Sequence, residues 1–246
     1  MRASWLVSVV TAIVVLGVSI LPFLTPAWVG FEQDRAGSVG LVGACPAVVR
    51  GFTNDLLREL IFGGSFDDIR WAEAGFLPPC RDVATSSLEL NATEASHMRD
   101  VRAVFQAFYL LVLVSVVALA LTWRQVTTAD ARAAWWHAVR RGVRGLAVVV
   151  VVLGALALVA FDAAFEVFHR LFFAAGSYTF DPTTSRLVQL FPDQFWFETM
   201  IAVGVVAVAL AMATAWLAGR RVASALVADA DVAATSGQLS VRRVTR

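Results

Sequence analysis

Two of the three histidines in this 246-residue chain stand among carboxylates at helical spacing. Glu94, His97, Asp100 and Val101 fall three or four positions apart, so a helix places them on one face. Asp162, Phe165, Glu166, His169 and Phe173 form a second such stripe. A carboxylate beside an imidazole sets its tautomer and favours its charged form. Groups of this kind suit general acid–base catalysis, in which an imidazole takes a proton and returns it to a leaving group. Neither a Gly-x-Ser-x-Gly elbow nor a His-Glu-x-x-His helix occurs. The simplest chemistry is therefore histidine acting as base or acid without a protein nucleophile. The third histidine, His137, lies among Trp135, Trp136, Arg140 and Arg141 and reads as a solvated bystander on an interfacial helix.

The elements that must position these residues are dictated by hydropathy. Apolar residues make up 59% of the chain and charged residues only 16%, well below the usual soluble proportion. That balance excludes a disordered chain and argues against an ordinary soluble enzyme. A net charge of +1 leaves no basic face for a nucleic acid. Four stretches carry no charge and approach the ~20 residues needed to cross a bilayer: Ala3–Phe31, Ala103–Trp123, Gly145–Phe161 and Thr199–Gly219. Lipid forces backbone groups to bond internally, so each is read as a helix. The fold class expected is an all-α membrane protein, a four-transmembrane-helix bundle with a small extracytoplasmic α+β cap domain.

Orientation follows from the arginines, which supply all the basic residues. Residues 124–144 hold five Arg and one acid, and the tail beyond Gly219 holds five Arg and two acids. Residues 32–100 hold six Arg and eleven acids, and 162–198 hold two Arg and five acids. The expected order is thus transmembrane helix 1 over 1–31, read as a retained anchor, and an extracytoplasmic cap over 32–100. Helix 2 over 101–123, a cytoplasmic loop over 124–144 and helix 3 over 145–161 follow. An outer loop over 162–198 carries the second histidine, helix 4 spans 199–219, and a cytoplasmic tail, fraying after Val227, occupies 220–246. Both termini then face the cytoplasm of a bacterial plasma membrane, and His97 and His169 meet at the same outer level.

Within the cap, Pro46 to Leu60 reads as an amphipathic helix stopped by Gly63-Gly64, and Ser65 to Leu90 as loops with a few short strands. Cys45 and Cys80 both fall there. The oxidising exterior permits a disulfide between them, and two free buried thiols are the alternative. Aromatics crowd the second histidine: Phe161, Phe165, Phe168, Phe172, Phe173, Tyr178 and Phe180. They fit an interfacial belt or a pocket for acyl chains.

Glu94-Ala-Ser-His97-Met-Arg-Asp100-Val101, leading into the second span, resembles the E-x-x-H-x-x-D-V segment of the Lit family. So does Phe161-Asp162-x-x-Phe165-x-x-Phe168-His169-x-x-Phe172, continuing through Tyr178-x-x-Asp181-Pro182 and Leu190-Phe191-Pro192. Tyr178 and Ser185 depart from the Trp and Asp expected of the family. The resemblance implies a four-span lipoprotein intramolecular transacylase. Its substrate would be a diacylglyceryl lipoprotein in membrane lipid, whose sn-2 acyl chain moves to the amino group of the N-terminal cysteine. No cofactor, metal, nucleotide or nucleic acid is then required.

On that reading His97 and His169 are catalytic, and Asp100, Asp162, Glu94 and Glu166 support them. Arg99 or Arg170 would meet the oxyanion or a headgroup, and Phe165, Phe172, Phe173 and Tyr178 would bind the substrate. Two other readings use the same residues. A metal-dependent esterase would hold zinc with His97, His169 and two of the acids. A membrane scaffold or chaperone would need neither histidine.

Overall fold

In the computed structural model, which describes residues 2–71 and 88–244, the chain is almost entirely helical. Four helices are long and apolar enough to cross a membrane: Ser4–Leu24, Ala92–Arg124, Ala129–Val159 and Asp193–Ala225. The chain divides into two compact units. One comprises residues 1–19, 109–152 and 205–246, and the other residues 20–108 and 153–204.

The first unit takes in most of α1 (Arg2–Ile20), the second half of α5 (Ala92–Arg124), most of α6 (Ala129–Val159) and the greater part of α9 (Asp193–Val244). Small residues let these helices approach. Gly142 of α6 lies so near α1 that a Cβ there would stand 2.1 Å from the Ser8 carbonyl oxygen, and the Ser8 hydroxyl donates to the Ala138 carbonyl at 2.8 Å. Gly17 of α1 faces Val112 of α5 in the same manner. Val7, Ala138, Val139 and Ala218 form a buried seam.

Two expectations change here. The helix expected around His137 is continuous with the third span rather than a separate piece of a loop: α6 begins at Ala129, where Thr128 accepts the Ala131 N–H at 3.2 Å as a cap. The fraying tail is instead helical as far as Val244, in keeping with an alanine-rich run that lacks proline.

The second unit holds the shorter elements. The expected helix over 1–31 is interrupted, because Pro22 and Pro26 cannot donate to a continuing ladder. A 3₁₀ turn, Leu21–Leu24, follows α1, and Thr25 then caps α2 (Pro26–Arg35) by accepting the Trp28 N–H. After α3 (Ser38–Val42), α4 (Pro46–Phe62) starts at its proline and stops at Gly63, whose φ of +87° suits glycine. Val48, Val49, Phe52 and Leu56 line the buried face of α4. They join Phe66, Leu88, Ala95, Met98 and Leu190 in one core.

Arg70–Trp71 (β1) and Leu88–Glu89 (β2) pair antiparallel, and they are the strands of the described residues. Cys45 is disulfide-bonded. Cys80, the other cysteine of the sequence, lies outside the described residues, as does most of the stretch expected to hold short strands.

The five-residue helix α8 (Arg186–Leu190) is held at both ends. Glu94 of α5 accepts the Leu187 N–H at 2.9 Å and the Ser185 hydroxyl at 2.5 Å. At the other end the Leu190 carbonyl accepts from Gln33 at 3.1 Å and Ser38 at 3.0 Å. Buried Gln33, Ser38 and Glu94 thus fix α8 against α2, α3 and α5.

Candidate active site

His97 lies in the first turns of α5, one turn beyond Glu94. Asn91 precedes the helix and accepts the N–H groups of Thr93 and Glu94 through its side chain, while Glu94 accepts the Asn91 N–H in return. This reciprocal capping box fixes where α5 begins. With α5 so placed, the His97 ring is 6% exposed. Phe173 and Phe180 meet it edge-on, at centroid distances of 4.8 and 5.5 Å. Its Nδ1 is enclosed without a hydrogen-bond partner.

His169 belongs to α7 (Phe161–Phe172), a strongly amphipathic helix set off from α6 by a break at Ala160, where φ is −140° and ψ is +59°. Its Nδ1 lies 2.8 Å from the Phe165 carbonyl oxygen one turn back. A carbonyl can only accept, so Nδ1 carries a proton, and in the neutral ring Nε2 is the acceptor. The two imidazoles stack with centroids 6.2 Å apart and planes inclined by 21°. Phe165 at 4.1 Å and Tyr178 at 5.1 Å cover other parts of the His169 ring.

Both rings border a cavity of about 460 Å³ whose wall is otherwise almost wholly apolar. Leu56, Leu57 and Leu60 of α4, Met98, Val101 and Phe105 of α5, and Met200 and Val203 of α9 contribute to it. The volume falls in the ~300–1,000 Å³ range of small-molecule sites. Met98, Val101 and Phe105 follow His97 at helical spacing, a signal in the sequence that the aromatic crowding around His169 overshadows. The α4 and α9 contributions come from residues far away in the chain and carry no local signature.

The supporting residues expected from spacing are placed variously. Glu94 is buried and directed at α8, not at His97. Asp100 and Asp162 are exposed, and neither forms a hydrogen bond with an imidazole among the described residues. The Phe165 carbonyl holds His169 instead. Glu166 accepts the Arg170 Nε–H at 2.7 Å and the Tyr178 hydroxyl at 3.3 Å. The Arg170 guanidinium, with Tyr178, holds the Glu166 carboxyl below the usual carboxylate range. Arg170 is thereby committed along α7, and Arg99 is committed to Asp67 at 2.8 Å. Phe165 and Tyr178 line the cavity. Phe173 touches both imidazoles, whereas Phe172 is 46% exposed and stands outside the lining.

Among the described residues no three His, Cys, Asp or Glu side chains converge as metal ligands. The arrangement supplies one imidazole with a free acceptor, a second that is enclosed, and an apolar chamber beside both.

Comparison with known proteins bears on the histidine-bearing segment and on the fold. The family model described as lipoprotein intramolecular transacylase Lit matches residues 78–196, a span that contains both histidines. No curated protein matches the sequence. The in meso structure of the membrane integral lipoprotein intramolecular transacylase Lit from Bacillus cereus superposes with a TM-score of 0.66 at 16% identity, covering 91% of this chain and 95% of that one. A histidine-to-arginine variant of the same protein gives 0.65 at 14% identity, covering 92% and 93%. At such identities the structural likeness speaks to the fold, and the family match speaks to the segment that bears the histidines. On the two together, the chain is similar to the Lit lipoprotein intramolecular transacylases, sharing their fold and matching their family model over residues 78–196.

Proposed function

We propose that this protein transfers an acyl chain within one diacylglyceryl lipoprotein, from the sn-2 ester of the glyceryl group to the α-amino group of the N-terminal cysteine. The observation that carries the reading is the convergence of His97 and His169, 6.2 Å apart, on the wall of an apolar cavity. That separation is too long for the parallel rings to bond one another, yet short enough for a single ester and amine to touch both. An α-amino group has a pKa near 8 and is partly protonated at neutral pH, so a base assists its attack.

In this reading the neutral amine attacks the ester carbonyl as His169 Nε2 takes its proton. The tetrahedral intermediate then collapses with cleavage of the bond to the sn-2 oxygen, and that oxygen receives the proton. An amide C–N bond forms, an ester C–O bond breaks, and the proton count is unchanged. Donor and acceptor reside on one molecule, so holding them in register supplies a large part of the rate. His97, enclosed and lacking a partner at Nδ1, serves as the second proton-handling group beside the reacting carbonyl. The apolar chamber holds the acyl chain during transfer.

The site is read as extracytoplasmic, beneath the cap. Support comes from the arginine-rich segments that bracket the spans on the other side. The disulfide at Cys45 also favours an oxidising compartment. The test is mass spectrometry of lipoprotein N-terminal peptides from cells expressing the parent, His97→Ala or His169→Ala. N-acyl, lyso-glyceryl product should appear with the parent and be absent with either variant at equal membrane abundance. Normal product from both variants would refute the assignment.

A further inference from the structure

At one end of the first unit, arginines gather that have no acidic partner among the described residues. Arg140 and Arg144 lie one turn apart on α6 and share a face. The Arg140 guanidinium packs against α9, its Cζ 3.6 Å from the place a Cβ would occupy on Gly219. Its Nε is enclosed with no acceptor. Arg220, the next residue of α9, lays its guanidinium over the Trp216 ring at 4.9 Å, and that ring is 60% exposed.

Among the described residues none of these three arginines forms an ion pair. Asp130 stands ten residues before Arg140 and Asp229 nine beyond Arg220, roughly 14–15 Å along their helices. Arg141, by contrast, is engaged with α1, donating to the Ser8 hydroxyl at 3.2 Å and the Ser4 carbonyl at 3.1 Å. The depth of this end is marked by tryptophans. Trp123, Trp135 and Trp136 pack edge to face at 4.9–5.8 Å, with the Trp135 Nε1–H donated to Thr122. Amphipathic rings of this kind settle at the headgroup level of a bilayer.

We propose that Arg140, Arg144 and Arg220 form a binding site for the phosphate of an anionic phospholipid, with Trp216 against its acyl chains. Guanidinium groups bind phosphate oxygens through charge-assisted, fork-shaped hydrogen bonds. Cζ, Nε and Nη1 of Arg140 lie 3.6–3.8 Å from the Cβ position of Gly219, so the guanidinium rests side-on against that helix. The headgroup supplies the counter-charge that no described residue gives these arginines, and at the interfacial depth set by the tryptophans a lipid phosphate is the anion on hand.

The test uses the purified, delipidated full chain in neutral detergent, titrated with phosphatidylglycerol or phosphatidylcholine and read by native mass spectrometry. Phosphatidylglycerol should bind at least tenfold more tightly. Arg140→Gln and Arg144→Gln should each weaken it about tenfold, as expected for loss of one charge-assisted pair. Arg132→Gln, an equal charge change on α6 outside the notch, should leave binding unaltered. Equal weakening by all three substitutions, or equal binding of the two lipids, overturns the proposal in favour of diffuse charge attraction. Displacement of phosphatidylglycerol by millimolar inorganic phosphate overturns it in favour of a small-anion site.

Discussion

Replacing Glu94 by alanine takes the acceptor away from three donors at once. The buried carboxylate receives the Ser185 hydroxyl at 2.5 Å, the Leu187 N–H at 2.9 Å and the Asn91 N–H at 2.9 Å. Each hydrogen bond to a charged group contributes about 1.5–3 kcal/mol, so three at the lower bound sum to about 4.5 kcal/mol. Relief from burying the charge and access of water to the half-exposed Asn91 end offset part of this, leaving a net loss of about 3 kcal/mol. For a chain of this size each kcal/mol shifts the melting temperature by about 2–4 °C, so Glu94→Ala should melt about 6–12 °C lower. Glu94→Gln keeps an oxygen for Ser185 and Leu187 but turns an amide donor towards the Asn91 N–H, and should lose about half as much. Thermal unfolding followed by intrinsic fluorescence in detergent gives the stability. Acyl transfer measured well below both transitions gives the chemistry, which both variants should retain. A Glu94 variant that melts with the parent yet is inactive would show that the carboxylate serves His97 directly, and the account of it as a clamp on α8 would fail.

Glu32 offers a pH dependence. It is 1% exposed, and burial together with the neighbouring Glu198 carboxyl pushes it up to about 7, against the pull of Arg35. The folded protein then holds a proton that the unfolded chain has already released, so this stabilisation is complete below about 4.5 and fades as pH rises through 7. Melting temperature should therefore fall between pH 5 and 8 more steeply in the parent than in Glu32→Gln, and parallel curves would contradict this. Gly142→Ala should lower the melting temperature by several degrees, because its Cβ would meet the Ser8 carbonyl oxygen at 2.1 Å and force α1 from α6. Gly154→Ala on the same helix meets nothing within 4 Å and should be neutral or slightly stabilising, which serves as the control.

Hydropathy alone locates the four spans, because a bilayer demands an uncharged run of defined length and the chain has four such runs. The two histidines are legible for a related reason. Few titratable residues border the spans, and the order of the helices brings His97 and His169 to one level. What spacing misjudges is the direction of the acids. Glu94 and His97 lie one turn apart, but a helix face is wide, and a carboxylate on it can serve a neighbour 91 residues away as readily as the imidazole beside it. The local clue is the Asn91-x-x-Glu94 pattern of a capping box, which assigns Glu94 to the helix start. The partner of His169 leaves no mark in the sequence at all, since the Phe165 carbonyl is backbone. The breaks at Pro22 and Pro26 are legible once proline is weighed above apolarity.

The two imidazoles are held by different means, and that difference bears on what each can do. His97 is fixed from outside itself: the capping box sets the start of α5, and Phe173 and Phe180 close on the ring. Nothing polar is spent on its Nδ1, which is enclosed without a partner. His169 is fixed from within its own helix, where one nitrogen is committed to the carbonyl four residues back and the other is left as an acceptor. A helix whose residues are nowhere fully buried can present that acceptor only because the bond is internal to it. Protonation of Nε2 leaves the Nδ1–H bond intact and strengthens it, since a charged donor binds a carbonyl more firmly than a neutral one. The Phe165 carbonyl thus sets the orientation of the His169 ring without a carboxylate beside it.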